Sequence, residues 1–256
     1  MANNDTIKKT LLVAVALCVV CSVIVSGAAV ALKDAQVANK LDDRNRNILA
    51  AAGMLEEGVP IAELFARIDT KVVDLRTGKF TDAVAADNYN QRKAAKDPAV
   101  SDALSSAEDI AKIRRREHLA LVYIVEEQGQ LDKIILPIHG YALWSTLYGF
   151  IALESDGNTV AGLGFYEHKE TPGLGGEVDN PRWKALWPGK QVYLDGQVAL
   201  KLMKGVVDPD SPDADYQVDG LAGATLTSRG VSNLVQFWLG EGGFGPFIAN
   251  LRAGKA

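Results

Sequence analysis

Residues 10–32 form a continuous run without a charged side chain, and Leu, Val, Ala and Ile dominate it. A helix of this length can cross the hydrocarbon core of a bilayer, which is roughly 30 Å thick. Because lipid offers no hydrogen-bond partner to an exposed backbone, a single segment in the membrane must be helical. The sequence therefore predicts one transmembrane helix near the N-terminus, preceded by a short tail at residues 1–9.

A cleaved signal peptide is the alternative for this run, because small residues occur at positions 26–29. The run is longer than the usual apolar region of a signal peptide, which has about 7 to 15 residues. A retained anchor is therefore the preferred interpretation. The charges leave its orientation open, because basic residues lie on both sides of the run (Lys8, Lys9, Lys33, Lys40, Arg44 and Arg46).

The composition excludes some functions for the rest of the chain. With 256 residues, 48% hydrophobic content and a net charge of −5, it can bury a sizeable core and does not resemble a nucleic-acid-binding protein. Cys18 and Cys21 fall inside the apolar run, where they are expected to pack as small hydrophobic residues. His118 and His139 lack the helical His-x-x-x-His spacing of a zinc site. We expect no metal and no nucleic-acid partner.

The chain between the anchor and residue 118 has a mixed pattern. Residues 35–52 are polar and predict a helical stalk, and residues 70–75 predict a strand. Residues 81–113 are rich in Ala, Asp, Lys and Ser, and we expect surface helices there. The three arginines at 114–116 are expected on a solvated face. Residues 33–118 are thus predicted to be a stalk followed by a helical or α+β part.

From residue 119 the pattern becomes that of β-hairpins. Paired strands are predicted at 119–125 with 134–138, at 150–153 with 160–165, and at 191–194 with 198–203. Neither a Gly-x-Gly-x-x-Gly fingerprint nor a P-loop accompanies them, so the chain shows no obvious NADH or ATP site. The fold class is predicted to be α+β, with a mostly antiparallel sheet and flanking helices after one N-terminal transmembrane helix.

The segment Asp219–Ser228, with the sequence DGLAGATLTS, leads into a periodic apolar stretch that ends before Gly240. This pattern predicts a loop at the start of a helix. The unpaired amides and positive dipole end of such a helix favour an anionic group such as a phosphate. The alternative is that the hydroxyl residues are merely helix caps, each contributing about 1 kcal/mol.

The segment Asp219–Thr227 resembles the flavinylation motif of the FMN-binding domain family, in which an Asp is followed by two residues, Ser/Thr, Gly, Ala, Ser/Thr, any residue and Ser/Thr. Ala222 departs from the motif, but Thr225 occupies the acceptor position. The resemblance implies that FMN is bound covalently, through a phosphoester to Thr225 that a separate flavin transferase makes with FAD as donor. It places four further residues around the phosphate: Gly223, Ala224, Leu226 and Thr227. Asp219, a further cofactor-binding candidate, is expected to bond the loop or to help the transferase handle its metal-bound donor.

Two other blocks resemble the same family. In residues 168–177, the resemblance implies contacts of the flavin with Glu170, Thr171, Leu174 and Gly175, while His168 is expected to make a structural hydrogen bond to the loop. In residues 140–149, Trp144 is either a core aromatic, which we favour, or a flavin contact. Ser145 is a further candidate contact to the phosphate. No catalytic residue is expected.

Within this family the chain resembles the C subunits of bacterial sodium-pumping NADH:ubiquinone reductases. The resemblance implies an FMN-binding domain at residues 119–256, on the periplasmic side of the inner membrane, and therefore a cytoplasmic tail at residues 1–9. The chain would then be an electron-transfer subunit whose partners are the other subunits, the membrane and, during maturation, the flavin transferase. Two alternatives stay open: the G subunit of an Rnf electron-transport complex, which the length of the chain disfavours, and a non-redox anchored binding or assembly protein.

Overall fold

The structure is a computed structural model that describes residues 6–256, so the first residues of the predicted tail lie outside the described part. Helix α1 spans Ile7–Ala31 and all its residues are exposed. In the described part of the chain it is the one helix that is long and apolar enough to cross a membrane, judged by length and composition. The predicted apolar helix is therefore confirmed as a helix.

The chain divides into two compact units, of which the first ends at Asp43 and the second is Arg44–Ala256. Helix α2, Lys33–Ala51, contains this division, and its last turn belongs to the core of the second unit, where Ile48 and Leu49 are fully buried. The end of the predicted stalk is thus part of the folded domain. The boundary that the sequence analysis puts at residues 118 and 119 stays a prediction.

One antiparallel sheet of six strands dominates the second unit, in the order β2-β1-β5-β6-β7-β8. A two-stranded ribbon, β3 with β4, lies outside it. The strands are β1 Ile68–Asp74, β2 Lys79–Phe80, β3 Ser101–Ala103, β4 Arg115–Glu117, β5 Leu119–Glu127, β6 Gln130–Tyr141, β7 Thr146–Glu154 and β8 Val160–Glu167. The two predicted hairpins in this region are confirmed as β5 with β6 and β7 with β8, and the α+β fold class is confirmed.

Short elements complete the fold. Four short strands form two further pairs, antiparallel β9 with β10 and parallel β11 with β12. They are β9 Tyr193–Leu194, β10 Gln197–Val198, β11 Lys201–Leu202 and β12 Gln217–Val218. The remaining helices are α3 Ile61–Phe65, α4 Gln91–Ala94, α5 Pro181–Lys184, α6 Thr225–Leu239 and α7 Gly245–Arg252.

Both faces of the sheet are buried, which explains why its central strands are almost continuously apolar. Along β6, Ile134 and Leu136 pack on the face that α6 and α7 cover, while Ile135 packs on the face that the end of α2 covers. The α6 side is the larger core. It contains Trp238 and Leu234 of α6, both fully buried. The sheet and this core hold the N-terminus of α6 in place.

The prediction of surface helices over residues 81–113 is largely wrong. The structure has one 3-10 turn at Ala86–Asn88, the four-residue helix α4, and β3. The Ala-rich composition favours helices, but Asp side chains bond to backbone amides just beyond them and turn the chain instead. Asp97 Oδ1 accepts from Ala99 N at 2.9 Å, and the two oxygens of Asp109 accept from the amides of Ile113 and Arg114, both at 2.7 Å.

The three arginines at 114–116 differ from one another. Arg114 is exposed as predicted, but Arg115 and Arg116 are half-buried on β4. Arg115 donates to the hydroxyl and the carbonyl of Ser101, and Arg116 donates to the carbonyl of Gly242 at 3.0 Å. The prediction of a solvated face is therefore wrong for these two residues. Pairing of β4 with β3 brings Arg115 onto Ser101, and the segment between α6 and α7 supplies the carbonyl that Arg116 binds.

Candidate functional site

Helix α6 begins with three backbone amides that have no acceptor among residues 6–256. Its N-cap residue, Ala224, offers no side-chain hydrogen bond, and the first helical amide that finds a carbonyl is that of Ser228, which donates to Ala224 O at 3.0 Å. Within the described chain, the amides of Thr225, Leu226 and Thr227 donate no hydrogen bond. Unpaired amides at the positive end of a fifteen-residue helix can bind an anionic group.

The hydroxyl groups of this segment lie inside the first turn, not before it, so they do not cap the helix. The Ser228 hydroxyl donates to Ala224 O at 3.1 Å and accepts from Leu221 N at 2.9 Å. Thr227 is fully buried, with its hydroxyl committed to Glu170. Thr225 is exposed, and its hydroxyl makes no hydrogen bond to any residue that the structure describes. Of the three alcohols, Thr225 is the one available for reaction.

The loop before α6 is shaped by glycine and by contacts of its backbone. Gly223 has φ of +72°, a conformation that residues with a Cβ rarely adopt. A Cβ on Gly220 would overlap Met203 O, so only glycine fits against the residue that follows β11. Asp219 Oδ1 accepts from Val207 N at 2.8 Å, which ties the loop to the preceding segment. Asp219 thus holds the start of the loop. Ala224, at the end of the loop, is buried.

The carboxylate of Glu170 joins the three blocks that the sequence analysis singled out. Its Oε1 accepts from three consecutive amides, those of Leu143, Trp144 and Ser145, at 3.3, 2.9 and 3.3 Å. Its Oε2 accepts from the Thr227 hydroxyl at 2.8 Å. The sequence analysis named Thr227, Ser145 and, as the less favoured alternative, Trp144 as separate candidate contacts of the cofactor, and the structure brings them together around the buried side chain of Glu170. Direct contact of Glu170 with a flavin stays a prediction.

Exposed apolar side chains lie on the segments that meet here. The exposed fractions are 65% for Trp144, 51% for Leu226 and 44% for Leu174. Leu174 Cδ2 is 3.0 Å from the place a Cβ on Gly223 would take, so it touches the loop before Thr225. The preference for Trp144 as a core aromatic is wrong, because its loop carries it outside the sheet. Large exposed apolar groups beside a free hydroxyl indicate a surface that covers a ligand or partner.

The remaining predicted residues lie on the same loops. Thr171 is exposed, while Gly175 is buried against Glu170 and Thr227. The Ser145 hydroxyl accepts from Lys169 N at 2.7 Å and thereby joins the two loops. A contact of any of these residues with a cofactor stays a prediction.

His168 makes the structural hydrogen bonds that the sequence analysis favoured. Its Nε2 lies 2.8 Å from Asp179 Oδ2, and its Nδ1 accepts from Glu170 N at 3.2 Å. The hydrogen bond to Asp179 raises the pKa of the His168 imidazole above its ordinary value, although partial burial opposes this rise. His168 therefore stiffens the loop that carries Glu170.

Two contacts of the site lie outside every motif. Trp183 Nε1 donates to Asp219 O at 2.9 Å, from α5, and the backbone of Val207 binds the Asp219 side chain. No sequence signal links these positions, because they are brought together by tertiary packing. Residues 6–256 contain no group of three or more His, Cys, Asp or Glu side chains that could hold a metal.

The chain is similar in sequence to known proteins. Residues 142–240 match the model of the FMN-binding domain family. The C subunit of the Na⁺-translocating NADH-quinone reductase of Pseudomonas aeruginosa PAO1 is 60% identical over 261 residues, which cover 100% of this chain and 100% of that protein. The protein of the same name from Vibrio alginolyticus is 50% identical and covers 99% of this chain and 98% of its own length.

Two crystal structures have the same fold. That of Shewanella oneidensis NqrC has a TM-score of 0.78 at 38% identity, with 84% of this chain and 99% of the other covered. That of the corresponding protein from Parabacteroides distasonis has a TM-score of 0.65 at 27% identity, with 85% and 96% covered. Full-length relatives at 50% to 60% identity are decisive for the assignment. The chain belongs to the family of Na⁺-translocating NADH-quinone reductase C subunits.

Proposed function

We propose that Thr225 carries FMN as a phosphoester and that the chain is an electron-transfer subunit of a sodium-pumping NADH:ubiquinone reductase. The observation that carries this proposal is a single exposed, unpartnered hydroxyl next to three unpaired amides at the start of α6. The match to the FMN-binding domain family over residues 142–240 and the names of the full-length relatives support it.

The residues present fit the phosphate of FMN. The free amides of Thr225, Leu226 and Thr227, together with the helix dipole, supply donors and positive potential for a phosphodiester, which stays negatively charged. Gly223 leaves the approach open, since it has no side chain, and Ala224 is buried beneath the loop. The exposed side chains of Leu174, Trp144 and Leu226 offer apolar surface for a ring. When bound, FMN accepts electrons and passes them on, and the protein supplies position and environment.

Attachment is a transfer of the FMN half of FAD to a hydroxyl. The Oγ1–H bond of Thr225 and a P–O bond of the FAD pyrophosphate break, an ester bond forms between Oγ1 and the FMN phosphorus, and AMP leaves. The hydroxyl proton passes to a base of the transferase or to water. Electrons are not gained or lost, so the step needs FAD and the transferase but no oxidant.

Intact-mass measurement of the chain purified from its native host tests the proposal. We expect the mass of the chain to be increased by that of FMN less one water, and fragmentation to place the addition on Thr225. An unmodified peptide containing residues 219–229 would contradict the attachment.

The proposed location is the inner membrane, with α1 as anchor and the folded unit in the periplasm. The length and apolar character of α1 support an anchor, and the resemblance to the reductase subunits is the reason for the orientation. A cysteine introduced at the exposed Thr77 should react with a membrane-impermeant maleimide in intact spheroplasts. The native Cys18 and Cys21 lie within α1, the proposed anchor, and should not be labelled. Labelling only after lysis would reverse the orientation.

The two alternatives from the sequence have less support. The relatives that cover the full chain at 50% to 60% identity are named as C subunits of the sodium-translocating reductase, which favours that complex over an Rnf complex. A non-redox protein in which the hydroxyl cluster caps a helix is disfavoured, because the N-cap of α6 receives no side-chain hydrogen bond. Partners are proposed to be the other subunits of the reductase and, during maturation, the flavin transferase.

A further inference from the structure

We propose that Glu170 is a positioning residue that sets the environment of the flavin by fixing the Trp144 loop, residues 141–145, against the first turn of α6. The inference rests on the proposed attachment of FMN at Thr225. It assigns to Glu170 a role that requires no contact with the flavin, because both of its carboxylate oxygens already bind protein donors.

The first oxygen organises the Trp144 loop. Glu170 Oε1 receives the amides of Leu143, Trp144 and Ser145, with the shortest distance, 2.9 Å, to Trp144 N. Three successive amides that converge on one oxygen form a concave anion site, and hydrogen bonds of this kind to a charged acceptor are about twice as strong as those between neutral groups. Another segment therefore supplies the acceptor for three amides of the loop, in addition to the hydrogen bonds that Ser145 makes with Ala142 N and Lys169 N.

The second oxygen reaches the helix that carries the attachment residue. Thr227, whose hydroxyl donates to Glu170 Oε2 at 2.8 Å, lies two positions after Thr225 in the same helical turn. The contact is buried and closely packed. A Cβ on Gly175 would lie 2.6 Å from Thr227 Oγ1 and 2.7 Å from Glu170 Oε2, so only glycine at this position leaves space for the contact.

Most of the Trp144 side chain is exposed, so packing does little to hold it in place. It is 65% exposed, so its position relative to Thr225 depends on its backbone, which Glu170 holds. Segments with few buried contacts and exposed backbone open at low free energy when such a hydrogen bond is lost. Loss of the Glu170 carboxylate should therefore loosen the Trp144 loop and change the surroundings of a flavin bound to Thr225.

Amide hydrogen exchange on the full-length chain in detergent, without flavin, tests the first step. In Glu170→Ala, we expect exchange at Leu143, Trp144 and Ser145 to accelerate about tenfold or more, because three amides lose their acceptor. Glu170→Gln keeps a carbonyl oxygen for these amides and should accelerate exchange less. Glu177→Ala, a neighbouring carboxylate that instead accepts from Asn180 Nδ2, is the matched control and should leave these amides unchanged.

Visible circular dichroism of the flavin-loaded chain tests the second step. Glu170→Ala and Thr227→Val should both alter the flavin signal, and Glu170→Gln should restore most of it. A role confined to overall stability would lower the unfolding midpoint and leave this signal unchanged. Thr227→Val provides a second variant if Glu170→Ala fails to fold.

The two proposals fail in different ways. Unchanged exchange at residues 143–145 in Glu170→Ala, or a flavin signal that neither Glu170→Ala nor Thr227→Val alters, would overturn the role of Glu170. Absence of an adduct on the wild-type chain would overturn the attachment of FMN, while the exchange experiment, which needs no flavin, would still report on Glu170.

Discussion

The substitution Thr225→Val should abolish covalent flavin completely when the chain is produced together with the flavin transferase. Valine keeps the shape and β-branching of threonine, so α6 should form as before, but the atom that forms the ester is gone. The neighbouring hydroxyls cannot replace it, because Thr227 is buried on Glu170 and Ser228 is bonded to Ala224 O and Leu221 N. Flavin fluorescence of the denatured band and intact mass measure the result.

Two matched variants separate loss of the hydroxyl from general damage. Thr225→Ser retains an alcohol at the same position and should retain the adduct. Thr77→Val removes the hydroxyl of an exposed threonine on the turn between β1 and β2 and should leave the flavin band unchanged. A fluorescent Thr225→Val chain with the full FMN mass would show that another residue carries the flavin.

The strands of the two main hairpins and the long helix α6 follow from local patterns, which is why the sequence predicted them. Val231, Leu234, Val235 and Trp238 recur at helical spacing, and all four are fully buried on α6. Gln128 and Gly129 both have positive φ, at 53° and 77°, as a tight turn between β5 and β6 requires. A buried face of a helix and a tight turn can both be recognised from residues that are close in sequence.

The polar segment 81–113 lacks such a face. Its short elements are held by distant partners, such as Gln91 Nε2 on Glu117 Oε1 and Arg92 on Glu167. Composition alone favoured helices there, and the tertiary contacts decide otherwise. The sequence analysis also favoured a buried Trp144, because a large aromatic side chain usually packs in the core. Here a tertiary contact again decides, since the backbone amide of Trp144 donates to Glu170 on another segment and the side chain stays exposed.

The candidate site was predicted in its members but not in its arrangement. Thr225, Glu170 and Trp144 each belong to a recognisable block, so their proximity was expected. The hydrogen bond between Glu170 and Thr227 joins residues 57 positions apart, and no pattern indicates which oxygen binds which donor. The contact of Trp183 with Asp219 O had no sequence signal at all. Motifs predict the proposed reacting group, whereas the contacts around it depend on the fold.

The second large effect concerns Glu117, a carboxylate away from the proposed flavin site. It lies on β4 with no exposed surface; its Oε1 accepts from Gln91 Nε2 at 2.5 Å, and its buried Oε2 has no partner among residues 6–256. Burial raises the pKa of Glu117 from 4.5 to about 7, although the hydrogen bond from Gln91 opposes this rise. Near neutral pH the folded chain must therefore either hold a proton there or bury a charge.

We expect Glu117→Gln to stabilise the chain increasingly as the pH rises. Because the folded pKa lies above the unfolded value, the wild type has its full stability below a pH of 4.5 and loses stability as the pH rises through about 7. At roughly 1.4 kcal/mol per pKa unit, the loss is about 3 kcal/mol by a pH of about 8. Glutamine does not ionise, so the variant avoids this loss. Burying the glutamine amide changes the free energy of unfolding by an amount that does not depend on pH. The variation of the free energy of unfolding with pH is therefore unaffected.

Urea unfolding of the full-length chain in detergent, followed by tryptophan fluorescence across about pH 4 to 8, measures the difference in free energy of unfolding. The difference between Glu117→Gln and wild type should grow by about 3 kcal/mol from the lower to the upper limit of the titration. Glu57→Gln, at an exposed position, should follow the wild-type dependence on pH. Parallel curves for Glu117→Gln and wild type would mean that Glu117 is charged without penalty in the folded chain, which requires water or another donor at its second oxygen.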